Sequence, residues 1–148
     1  MTSSMRDAGT ERIRNFVLDA SITLAWCFEE ERGDYPKSVL SLLGRGACAY
    51  APAIWLLEVA NALLVGERRK RITAAGSNWF MQELIGFCIE IEPLAAEQAG
   101  SIMVFARAHS LSIYDASYLA LAYRRALPLA TLDSNLKRAA KDAGVELL

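Results

Sequence analysis

Phe16-Val17-Leu18-Asp19-Ala20-Ser21 runs from three apolar residues straight into a carboxylate. A short apolar run with no polar alternation reads as a strand buried on both faces, as in a parallel sheet. Leu129-Ala130-Thr131-Leu132-Asp133 repeats the arrangement near the other end of the chain. Between them, short β-like runs alternate with helical runs, the pattern of an α/β fold. In such sheets ligands bind outside the carboxyl ends of the strands. Asp19 and Asp133 are therefore expected on one edge of one sheet.

Working outward from Asp19, the sequence predicts helices over Ser21 to Glu30 and Tyr35 to Leu43, the second stopped by Gly44 and Gly46. Ala47 to Ala51 reads as a strand, Ala53 to Arg69 as a long helix behind Pro52, and Ile72 to Phe87 as another helix. Ile89-Glu90-Ile91 reads as a strand. Helices over Ala95 to His109, Ser112 to Arg125 and Ser134 to Ala143 follow, with a last strand over Val145 to Leu148. No repeat, linker or low-complexity segment interrupts this order. Residues 1–13 are polar and read as a flexible leader. Residues 14–148 then form one domain, as suits a chain of 148 residues.

Composition excludes more than it identifies. Hydrophobic residues make up 53% of the chain, enough for a filled core. Lys plus Arg (16) nearly balances Asp plus Glu (17), so overall charge gives no argument for nucleic acid, and any phosphate-binding surface must be local. The apolar stretch from Ala47 to Leu57 is too short to span a bilayer, and the leader has no signal-peptide core. The expectation is a cytoplasmic protein without membrane association. Cys27, Cys48 and Cys88 are odd in number and widely spaced, so they are expected as three small buried thiols rather than a disulfide framework or zinc site.

Four acids stand out. Asp19 and Asp133 each follow a strand and precede a helix, where Asp is also a good N-cap. Asp115 lies three residues after Ser112, nearly the spacing of a capping box, and suits a helix dipole equally well. Glu58 is different. It interrupts the apolar run AIWLLEVANALL, residues 53–64, where a charge is costly unless paired or metal-bound. Asn61 shares its helical face. Two carboxylates about 4 Å apart repel by roughly 4 kcal/mol at an effective dielectric of 20, so four would need a cation. Oxygen donors select Mg²⁺ or Mn²⁺ rather than zinc. Such a site suits phosphodiester hydrolysis, and no Ser-His or Cys-His pair suggests a covalent intermediate.

These stretches resemble the PIN-domain family, and within it the VapC-type toxins of bacterial toxin–antitoxin systems. The resemblance runs from Phe16 to Leu147 through VLDAS (17–21), APAIWLLEVANAL (51–63), LSIYDASYLALA (111–122) and LATLDSNL (129–136). It implies a PIN-like three-layer fold: a central, mostly parallel sheet flanked by helices. It implies that Asp19, Glu58, Asp115 and Asp133 are catalytic and hold Mg²⁺ or Mn²⁺, with Ser21 and Thr131 assisting through their hydroxyls and Asn61 and Asn135 on the same edge. The implied activity is endoribonuclease cleavage leaving a 5′-phosphate and a 3′-hydroxyl. The implied partners are RNA, a cognate antitoxin peptide and a second copy of the chain.

Basic residues that would meet RNA phosphates are Arg68, Arg69, Lys70 and Arg71, then Lys137 and Arg138; helix capping and solvation explain the first cluster as well. Trp26, Phe28, Trp55 and Trp79 divide between core and interface. Two other readings remain. One is a non-catalytic α/β binding module whose acids are merely caps. The other is a haloacid dehalogenase-like phosphatase, which needs a second Asp where Ser21 stands.

Overall fold

The computed structural model describes residues 13–28 and 33–148. Residues 1–12, nearly all of the expected leader, lie outside the described residues, as do Glu29 and Glu30, to which the first helix was expected to extend. Strand β1 (Phe16–Leu18) leads into α1 (Ala20–Cys27) and α2 (Asp34–Gly44). Strand β2 (Ala49–Pro52) is followed by α3 (Ile54–Arg68) and α4 (Ala74–Ile85), and β3 (Ile89–Glu92) by α5 (Ala96–His109) and α6 (Ile113–Arg125). Strand β4 (Leu129–Ala130) and α7 (Ser134–Asp142) complete the order.

The sheet runs β3-β2-β1-β4, with every pairing parallel. Parallel neighbours need a crossover, and helices supply each one. Successive residues of β1 point to opposite faces, yet Phe16, Val17 and Leu18 are all 0% exposed. Both faces of the sheet are therefore covered by helices, which is the mostly parallel, helix-flanked PIN-like α/β fold expected. Tyr118, Leu119 and Leu121 of α6 join the same core, as do Trp55, Val59 and Leu63 of α3.

The chain steps outward from β1 to β2 and β3, then returns to the other side of β1 for β4. That reversal puts a crevice between the carboxyl ends of β1 and β4. The amide of Asp19 donates to the carbonyl of Ala130 (3.0 Å), joining the two strand ends.

Two expectations need correction. Val145 to Leu148 does not form a full strand; it reduces to a single bridge between Leu129 and Leu147, because β4 is only two residues long and offers little backbone to pair with. Cys48 and Cys88 are not buried thiols. They form a disulfide with Cα atoms 4.8 Å apart, and Cys88 is exposed. The cause is register: Ala49 pairs with Ile89, so the residues just before them stand side by side on neighbouring strands. Cys27 is half-buried at the end of α1.

Trp26, Phe28 and Trp55 are buried, whereas Trp79 on α4 is 65% exposed. Among the described residues no helix is long and apolar enough to cross a membrane.

Candidate active site at the carboxyl edge of the sheet

Asp19 is the innermost acid, 5% exposed. Its backbone has the extended N-cap conformation of α1, but its side chain makes no capping hydrogen bond. Instead the Ser21 and Thr131 hydroxyls both donate to Oδ2, at 2.6 and 2.7 Å. Each hydroxyl is in turn anchored by an amide: Leu132 N–H donates to Ser21 Oγ (2.9 Å) and Asp133 N–H to Thr131 Oγ1 (3.0 Å). This small network sews the β1 end to the segment after β4. Burial raises the carboxyl pKa of Asp19, and the hydroxyls of Ser21 and Thr131 together with the backbone amides of Ser21 and Ala20 only partly oppose it.

Glu58 sits one turn into α3, beside the buried stripe Trp55, Val59 and Leu63. It is half-buried, and the fully buried Tyr118 donates its hydroxyl to Oε1 at 2.8 Å. Desolvation raises the Glu58 pKa, Tyr118 opposes the rise, and the charges of Asp19 and Asp115 add to it. Asp115 occupies the first turn of α6, where its amide donates to the Ser112 hydroxyl at 3.1 Å. Its carboxyl pKa is raised by desolvation first, then by Asp133 and Asp19. Asp133 caps α7, its Oδ1 accepting from Leu136 N–H at 2.8 Å. The capping reading thus holds for the side chain of Asp133 and fails for that of Asp19.

All four acids line one pocket of about 350 Å³, together with Ser21, Asn61, Ala20, Leu24 and Ala62. Among the described residues, no Lys, Arg or His belongs to that lining. Thr131 lies directly behind Asp19. Asn135 is exposed on α7 and does not line the pocket, and neither do Arg68, Arg69, Lys70, Arg71, Lys137 or Arg138. Arg71 lies over the Phe28 ring (4.3 Å) and Lys137 over Tyr35 (5.9 Å).

Tyr118 was not singled out from the sequence. The available signal was its spacing, three residues after Asp115 and so on the same side of α6.

Among the described residues, no three His, Cys, Asp or Glu side chains are arranged as a ready-made metal cage. The donor chemistry nonetheless fits a hard divalent cation: carboxylates gathered without a basic neighbour, each of Glu58 and Asp115 pushed upward by other acids of the pocket. Closing around an ion asks for rearrangement among these acids.

None of the curated proteins matches the chain. Among solved structures, PAE2754 from Pyrobaculum aerophilum is similar at 20% identity and a TM-score of 0.68, over 86% of each chain. VapBC2 from Rickettsia felis, solved bound to a DNA fragment from its promoter, is similar at 16% identity and a TM-score of 0.63, over 90% of this chain and 97% of that one. FitAcB from Neisseria gonorrhoeae is similar at 18% identity and a TM-score of 0.56, over 90% and 96%. At these identities the likeness is one of fold. The family assignment rests on a separate finding, a family model described as PIN domain that matches residues 16–142. PIN domains are generally nucleases, and this chain belongs to the PIN domain family.

Proposed function

We propose that the chain is a Mg²⁺- or Mn²⁺-dependent endoribonuclease and the toxin of a toxin–antitoxin pair. The observation that carries this reading is the single pocket lined by Asp19, Glu58, Asp115 and Asp133 and, among the described residues, by no basic one. These four would hold the ion. Bound there, it would orient a phosphodiester, lower the pKa of a water and stabilise the leaving oxygen. Ser21 and Thr131 fix the orientation of Asp19. Asn61, on the Glu58 face, would contact the substrate or an ion-bound water. Asn135, exposed and outside the lining, would be an outer contact. Water attacks directly in this reading, since no histidine lines the pocket to activate a nucleophilic side chain.

Lys137 and Arg138 follow Asp133 on α7 and would meet the RNA backbone at the rim. Arg68 to Arg71 lie farther off, at the end of α3, and would act on phosphates distant from the cut.

Similarity of fold to VapBC2 and FitAcB, with the motif resemblance to VapC-type toxins, supports an antitoxin partner; the resemblance also implies a homodimer, and the sequence reading puts the protein in the cytoplasm. An apolar groove of about 290 Å³, lined by Ile54 and Leu57 of α3 together with Leu94, Ile113 and Tyr114, supports a peptide partner.

The test is to express the wild type and Asp115→Ala without any partner and to map new 5′-phosphate RNA ends in the cells. Wild type should arrest growth and create such ends, and Asp115→Ala should do neither. Equal cleavage by both proteins would overturn the assignment of Asp115. No cleavage by either would favour a binding module.

A further inference from the structure

Tyr118 is 0% exposed, among the largest side chains in the core, yet its hydroxyl oxygen lies 2.8 Å from Glu58 Oε1. It is not among the residues that line the pocket, and it lies behind Glu58. The bond joins α6 to α3 across sixty residues of sequence. The amide of Ala20, which opens α1, also lies near the phenol oxygen. One hydroxyl therefore sits where α3, which bears Glu58, α6, which bears Asp115, and the start of α1, just after Asp19, come together.

Glu58 needs such a fixture. Its side chain has three rotatable bonds and is only half-buried, and the charges of Asp19 and Asp115 oppose its ionised form. Left alone, it would swing toward solvent. The phenol donates its hydrogen to Glu58 Oε1 and, being fully buried, is held in place by the core around its ring.

We propose that Tyr118 is a positioning residue: by donating to Glu58 Oε1 it holds that carboxylate toward the pocket and predisposes it to bind the divalent ion. The proposal rests on the metal-centre reading above. It predicts an effect on ion affinity that a packing role would not produce.

The experiment measures Mn²⁺ binding by titration calorimetry on the purified full chain, alongside metal-free melting. Tyr118→Phe keeps the ring and removes only the hydroxyl. Loss of an outer-sphere partner of this kind typically weakens metal binding about ten- to a hundredfold, and that rise in Kd is the expected result. Leu119→Val, at a 0% exposed core position next in sequence, should lower the melting temperature and leave the Kd unchanged. Glu58→Asp draws the carboxylate back from the hydroxyl. Adding Tyr118→Phe to it should then change the Kd by less than about twofold, since the coupling is already gone.

A wild-type Kd in Tyr118→Phe would overturn the positioning role while leaving the metal centre intact. So would an equal loss of affinity in Leu119→Val, or an undiminished effect of Tyr118→Phe in the Glu58→Asp background. Absence of Mn²⁺ binding by the wild type would overturn the metal-centre reading and the positioning role together.

Discussion

At Asp19 the local preference of the backbone and the needs of the site pull apart. The residue holds an N-cap position with the matching extended backbone, and a free Asp there would bond the first amides of α1. Here Oδ2 accepts from Ser21 and Thr131 instead, and no capping hydrogen bond forms. A buried, charged carboxylate is a cost to folding that the hydroxyls and the Ala20 and Ser21 amides only partly offset, and a bound cation is the natural compensation. Asp19→Asn keeps the shape and removes the charge. Metal-free, it should melt no lower than the wild type. With Mg²⁺ or Mn²⁺ at about 100 times the dissociation constant, the wild type should gain roughly 2.7 kcal/mol and the variant almost none. A full gain in the variant would remove Asp19 from the metal centre. Asp19 and Asp133 were legible in sequence because each ends an apolar run, and Glu58 because a charge stands out in an apolar helix. Tyr118 was not. An aromatic within SYLALA reads as core, which it is, and its polar tip meets a partner that only the fold brings near.

Among the elements, α3 combines three demands along fifteen residues. Trp55, Val59, Leu63 and Gly66 form its buried stripe. Glu58 and Asn61 face the pocket beside that stripe. Its far end carries the basic cluster, ten residues beyond Glu58 and so about 15 Å along the axis. Gly66 marks a close approach: a Cβ there would stand 2.9 Å from Phe28 Cζ and 3.2 Å from Ile72 Cγ2. Ala is favoured over Gly within a helix by about 1 kcal/mol, but overpacking a buried ring typically costs 1–3 kcal/mol. Phe28 is itself buried and covered by Arg71, so its ring has little room to yield. Gly66→Ala should therefore destabilise by about 1 kcal/mol in urea unfolding, and a stability gain would mean that the ring moves freely. Helix identities were readable from periodicity. The last strand was overread, because apolar character alone does not supply a partner of sufficient length. The disulfide was missed because Cys48 and Cys88 are forty residues apart, and only strand register makes them neighbours.

For the whole molecule, a net charge of −1 conceals a strongly acidic pocket, and that concealment has a consequence for pH. Desolvation first, then repulsion among the acids, raises the pKa of Glu58 and Asp115; burial does the same for Asp19. Unfolded, these groups titrate near pH 4. Between that point and their higher folded values, the folded chain binds more protons than the unfolded chain, so these groups make stability fall as pH rises. The Arg14–Glu146 pair acts oppositely, since Glu146 is lowered by its partner, but both side chains are largely exposed and such pairs contribute little. Comparing the wild type with Asp19→Asn/Asp115→Asn cancels that background. In metal-free buffer the stability of the variant relative to wild type should grow as pH is raised from about 4 to 7, measured by urea unfolding at each pH. Saturating Mg²⁺ should reverse the difference at neutral pH by stabilising only the wild type, because the ion binds the ionised carboxylates. A gap that stays constant or shrinks with rising pH in the metal-free series would mean that these acids are not under mutual strain, and the case for a cation in this pocket would lose its electrostatic basis.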